Sequence, residues 1–147
     1  MLSGKAKPAL DLPLTFQAHH KNALLRYFLM SIEALWSVTF VSTTGQRLDS
    51  GNGVVVLETG RILGGDSAFT YIGRYAFNPK TDRIEGELRV RKYGQVEMQS
   101  VFGPMSDFHL VLSGTRLSHA AIRFDGYVKE HSQLQIVIAA QRQAELP

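Results

Sequence analysis

"GRILGGDSAFTYIGRY", residues 60–75, places four glycines, one acid and three aromatic rings in sixteen positions. A phosphate-cradling loop would need a strand, a glycine loop and then the N-terminus of a helix. Here the glycines run instead into "SAFTYIGRYAF" (67–77). In that stretch Phe69, Tyr71, Tyr75 and Phe77 share one face, with Gly73 in register between them. The G-x-x-x-x-G-K-[ST] spacing is absent as well. The stretch therefore reads as two strands and a bend. On the concave face of a small barrel bulky side chains crowd one another, and glycines or bulges relieve the strain. Gly51, Gly53, Gly64, Gly65, Gly73, Gly86 and Gly94 are spaced for that role. Asp66, directly after Gly64 and Gly65, is expected to accept hydrogen bonds from nearby backbone N–H groups in an Asx-type turn.

The two-residue period extends in both directions from this stretch. "ALWSVTFVS" (34–42) sets Trp36, Val38 and Phe40 on one face, and "GVVVLE" (53–58) is a run of β-branched residues. "IEGELRVRKY" (84–93) alternates Ile84, Gly86, Leu88 and Val90 against Glu85, Glu87, Arg89 and Arg91. Further on come Phe108, Leu110 and Leu112, then Ile122 and Phe124, then Leu134, Ile136 and Ile138. Alternation with one apolar face is the pattern of antiparallel sheet buried on one side. "TTGQ", "ETGR", "NPKTD", "SGTRL" and "KEHS" supply the turn signals between runs. With "RILGG" counted, eight strands fit between Ala34 and Gln141. The fold class predicted is all-β, an eight-stranded antiparallel up-and-down barrel, because closure removes both exposed edges. A sandwich is the alternative. Residues 95–106 break the rhythm and are left as another short strand or a helical turn.

The 147 residues fit one barrel domain at 33–142, preceded by a leader at 1–32 and followed by a tail at 143–147. The leader is read as disordered or partly helical (a patch over 22–29), or as an over-extended gene start with Met30 as the natural one. The formal net charge is +3, and all of it lies in the leader: Lys5, Lys7, Lys21 and Arg26 face Asp11 alone. Residues 33–147 balance, so the domain lacks the basic stripe that nucleic-acid binding asks for. No apolar run approaches the roughly 18–20 residues that span a bilayer, and no membrane partner is expected. There is no cysteine, which removes disulfides, thiolate metal sites and thiol nucleophiles and suits a reducing, cytoplasmic setting.

No set of residues reads as a catalytic or metal centre, and no cofactor is expected. Glu85 and Glu87 share a face with Arg89 and Arg91, the pattern of a solvated face of opposed charges. His19, His20, His109, His119 and His131 have no paired-ligand spacing. Ser113 and His119 straddle a turn, and no G-x-S-x-G surrounds the serine. The inward stripes of Trp36, Val38, Phe40, Phe69, Tyr71, Tyr75, Phe108 and Phe124 leave two readings. An eight-stranded barrel is just wide enough to be filled by side chains or to hold one small ligand, and so much aromatic bulk argues for filling.

"ALWSVTFVS", "GNGVVVLETGRILGGDSAFTYIGRY" (51–75) and "LRVRKYG" (88–94) together resemble the GrlR-type family of negative regulators of type III secretion. The matching elements are G-x-V-V, then G-x-hydrophobic-x-G-G-D, then Y-x-G-x-Y five residues after the acid; a later strand ends in a basic–aromatic pair. Gly64, Gly65, Asp66, Tyr71, Gly73 and Tyr75 carry the motif. The likeness is strongest over 34–94 and fades toward residue 141.

The resemblance implies a lipocalin-like barrel that pairs as a homodimer and acts without catalysis, by sequestering a transcriptional activator. In the founding member of that family an acidic Glu-Asp-Glu-Asp loop, between the Y-x-G-x-Y strand and the next, serves partner contact. The corresponding stretch here is "NPKTDRIEG" (78–86), whose loop holds only Asp82 as an acid, so the dense negative patch is not reproduced. The expectation is a non-enzymatic regulatory protein that contacts its partner through Asn78, Lys80, Thr81, Asp82 and Arg83. The alternative is a calycin-like binder of a small apolar ligand inside the barrel.

Overall fold

The computed structural model describes residues 31–43, 50–94 and 99–147. The leader and its helical patch, apart from Ser31 and Ile32, lie outside those residues. So do most of the "TTGQ" turn and positions 95–98.

Eight strands follow one another as β1 (Ala34–Ser42), β2 (Ser50–Glu58), β3 (Arg61–Gly65), β4 (Phe69–Asn78), β5 (Arg83–Lys92), β6 (Asp107–Ser118), β7 (Ala121–Val128) and β8 (His131–Ala144). Each pairs antiparallel with the next, and β1 pairs with β8 to close the barrel. The up-and-down order predicted from alternation is the order observed. One compact unit runs Ile32–Pro147. It begins one residue before the expected boundary, because Ile32 is buried and its carbonyl accepts the Trp36 indole N–H at 2.9 Å. At the other end β8 continues two residues into the expected tail. No helix among the described residues is long and apolar enough to cross a membrane.

Turn chemistry fixes the hairpins. β2 and β3 are joined by Thr59 and Gly60, both at positive φ (48° and 77°), the two-residue geometry whose twist matches flanking strands. "SGTRL" is corrected: residues 113–117 lie inside β6, and the turn falls at 119–120. Gly114 is there for close approach. A Cβ at that position would lie 2.5 Å from the Phe124 ring across the β6–β7 pair. Among residues 99–106 there is neither a strand nor a helix. An isolated bridge, Ser100 to Gly103, closes a tight turn and packs Val101, Phe102 and Met105 against the core.

Inward stripes meet as expected. Trp36, Val55, Ile62, Tyr71, Leu88, Leu110, Phe124 and Ile138 are all buried, one from each strand. At Gly64 and Gly73 no side chain fits the wall. A Cβ would lie 2.7 Å from the Val55 Cα at the first and 2.5 Å from the Leu88 Cα at the second, so neighbouring strands close in on bare backbone.

Candidate functional site

Because the strands simply alternate direction, the connections sort into two ends. The β2–β3, β4–β5 and β6–β7 turns lie at one end with the start of β1 and the finish of β8; the other four connections lie opposite.

The first end is sealed. Arg142 lays its guanidinium 4.9 Å above the Trp36 ring, and Arg116 lies 5.2 Å above Phe77. The Arg142 side chain is only 7% exposed. It donates to the His119 carbonyl at 2.8 Å and to the Glu33 carbonyl at 3.3 Å. Burial pulls its pKa down, although an arginine stays charged. Arg116 also donates to the Asp82 carboxylate at 2.9 Å. These inward arginines went unmarked in the sequence, yet their parity announces them: Arg116 is in step with Leu112 and Gly114, and Arg142 with Ile138 and Ala140.

Above this plug the barrel is hollow. A cavity of about 380 Å³ runs from Trp36 and Leu57 up through Val38, Val55, Leu88, Leu110, Phe124 and Ile138. Its far end is framed by Asn52, Asp66, Ser67, Gln99 and Ser100, with Phe102 beside them. The expectation of a filled interior is thereby corrected. Three of the rings pack closely against glycines: a Cβ at Gly51 would come within 2.7 Å of Phe40, at Gly53 within 2.9 Å of Tyr71, and at Gly114 within 2.5 Å of Phe124. The missing side chains let aromatic bulk line the wall and leave the middle open. Of the eight residues expected to line a pocket, Trp36, Val38, Phe40, Phe69, Tyr71, Phe108 and Phe124 do so. Tyr75 does not. It lies below Gly73, opposite Gly86, on the plugged side.

At the open end Asp66 organises the β3–β4 turn as expected. Its Oδ1 accepts the backbone N–H groups of Ala68 and Phe69, each at 2.8 Å. Its Oδ2 accepts the Tyr71 phenol, and its carbonyl accepts the Tyr93 hydroxyl at 2.8 Å. Burial, then the Asp66 hydrogen bond, pushes the Tyr71 pKa far above the ordinary tyrosine value, which keeps the phenol a donor. Phe102 meets Phe108 edge to face at 5.7 Å, holding the 100–103 turn over this end.

The other expected residues lie elsewhere and are engaged within the chain. Asn78 accepts the Lys80 N–H, Asp82 is held by Arg116, and Arg83 reaches Ser113 and Thr115; Lys80 and Thr81 are exposed. This loop is at the sealed end. Glu85 pairs with Arg83 and Glu87 with Lys129 on the outer surface, which bears out the reading of opposed surface charges. Ser113 hydrogen-bonds Glu85 while His119 faces Glu145 at 3.6 Å, so the two do not meet. Among the described residues no three His, Asp or Glu side chains form a group that could hold a metal ion.

Fold and cavity together define a small closed antiparallel β-barrel with an apolar interior and a polar rim at one end. No protein-family model matches the sequence. The chain is 35% identical to selenoprotein W of Gallus gallus over 78 residues, which are 52% of this chain and 91% of that protein. By that identity and coverage it belongs to the selenoprotein W family. This finding corrects the expected GrlR-like regulator: the relative shown is a selenoprotein, not a negative regulator of secretion.

Proposed function

We propose that the barrel binds a single small, largely apolar molecule in its interior. One observation carries the reading: the 380 Å³ space between Trp36 and Asp66 is walled almost wholly by aliphatic and aromatic side chains. It falls within the range of ligand cavities, and a few polar groups gathered at one end are what such cavities use to orient a guest. Sheet closure supplies the rest, since a barrel wall has no edge through which the interior could collapse. The selenium that the relative's name denotes finds no cysteine-type position here, because the chain has none. The family tie therefore contributes no thiol or selenol chemistry to this reading.

The test is native mass spectrometry of the full chain purified without detergent, alongside Ala140→Phe, which places a ring in the cavity wall. The natural protein is expected to retain a discrete small mass and the variant to lose it. Equal retention by both would put the guest outside the barrel and end the reading.

A further inference from the structure

The polar rim specifies what kind of head group the guest carries. Of the polar side chains at the open end, the Asp66 carboxylate and the Tyr71 phenol are fixed by a hydrogen bond to each other. The one proton of this pair, and most of its acceptor positions, are already engaged. A carboxylate has about four acceptor positions. The N–H groups of Ala68 and Phe69 and the Tyr71 O–H fill three of them, leaving one at Oδ2. Tyr71 has committed its only proton to Asp66 and keeps lone pairs on its oxygen. The pair thus offers acceptors and no hydrogen. Among the described residues lining the cavity there is no lysine, arginine or histidine to balance the carboxylate.

We infer that the cavity selects an amphiphile whose head group donates hydrogen bonds, a hydroxyl or an ammonium, and rejects one ending in a carboxylate. The inference rests on the binding function proposed above and names the ligand class for that site. An anionic head would meet Asp66 at close range, where like charges are costly, with no cationic side chain among the described lining residues to offset it. A hydroxyl gives its proton to Oδ2 or to the Tyr71 oxygen, and an ammonium adds charge attraction. Size follows from volume. The cavity has the liquid volume of about a dozen waters, which suits a chain of roughly ten carbons with one head atom.

The experiment titrates the full chain at pH 7 with 1-decanol, decylamine and decanoate, following Trp36, the single tryptophan, at the cavity floor. The alcohol and the amine are expected to bind at least about tenfold more tightly than decanoate. Decylamine ahead of decanol assigns a cationic head, and equal binding a neutral donor. Asp66→Asn keeps an acceptor for the turn but removes the charge, so the preference over decanoate should shrink to about twofold or less while circular dichroism is unchanged. Decanoate binding as tightly as decanol, or a preference that survives in a folded Asp66→Asn, overturns the head-group inference and leaves the cavity reading standing. If none of the three alters Trp36 emission or is retained in native mass spectra, the cavity reading itself falls.

Discussion

Tyr71 and Asp66 are five residues apart in the chain and face each other across the β3–β4 turn, the phenol donating to the carboxylate that also receives two backbone N–H groups. One side chain thus closes a hairpin and orients a cavity wall. Removing it with Asp66→Ala strands three donors, and a stability loss of about 2–3 kcal/mol is expected in urea unfolding. Tyr71→Phe removes one hydrogen bond and should cost about 1 kcal/mol. An Asp66→Ala loss no larger than that of Tyr71→Phe would show that the backbone bonds contribute nothing.

Glycine substitutions should separate folding from capacity. At Gly64 a new Cβ meets backbone, the Val55 Cα at 2.7 Å, and backbone there cannot yield. Gly64→Ala is expected to lose about 3 kcal/mol or more, or to fail to fold. At Gly51 the nearest atoms are the rim of the Phe40 ring, which can swing inward. Gly51→Ala should stay within about 1.5 kcal/mol of the natural protein yet bind the cavity guest more weakly, as read by Trp36 fluorescence. Undiminished binding would mean that Phe40 does not bound the usable space.

The β7–β8 turn carries an acid-sensitive contact. The His109 backbone N–H donates to Glu130 Oε1 at 3.0 Å, and the ring Nδ1 lies 2.7 Å from Oε2. The backbone bond first, then the ring, brings the Glu130 pKa down from 4.5 to about 2. A carboxylate lowered in the folded state adds stability above its unfolded pKa, and that stability is lost as the pH falls from about 4.5 through 2. A carboxyl NMR titration should therefore place Glu130 near pH 2. In His109→Ala the backbone donor remains, so the inflection should rise only part of the way. An ordinary value in the natural protein would mean that the contact is not made in solution.

Arg142 is expected to act as a structural plug. Its guanidinium covers the Trp36 ring in a nearly dry setting, where such a contact is worth about 2 kcal/mol. Arg142→Ala should cost at least that in thermal or urea unfolding and move Trp36 emission to the red as water reaches the ring. A destabilised variant with unmoved emission would mean that other groups keep water off the indole.

Strand count, order and closure were legible in the sequence because period-two alternation persists from Ala34 to Ile138 and connections are short. Asp66 was legible as well, since a turn aspartate has one common use. The hollow interior was not. Alternation tells which side chains point inward, but whether Phe40, Tyr71 and Phe124 fill the centre depends on rings lying over Gly51, Gly53 and Gly114, which are neighbours only once the strands are registered. Ser113 to Leu117 misled because glycine, serine and threonine serve turns and crowded strands alike. The sealing arginines escaped because an inward charge contradicts the hydrophobic pattern, and only their shared parity with apolar neighbours betrays them.

With Arg116 and Arg142 barring one end, the barrel is a cul-de-sac. Under the binding function proposed above, a guest would come out by the route it went in, tail foremost on arrival and head foremost on departure. On that same reading Phe102, packed edge to face on Phe108 at that mouth, is the side chain whose replacement should lengthen or shorten a guest's stay without touching the walls that hold it.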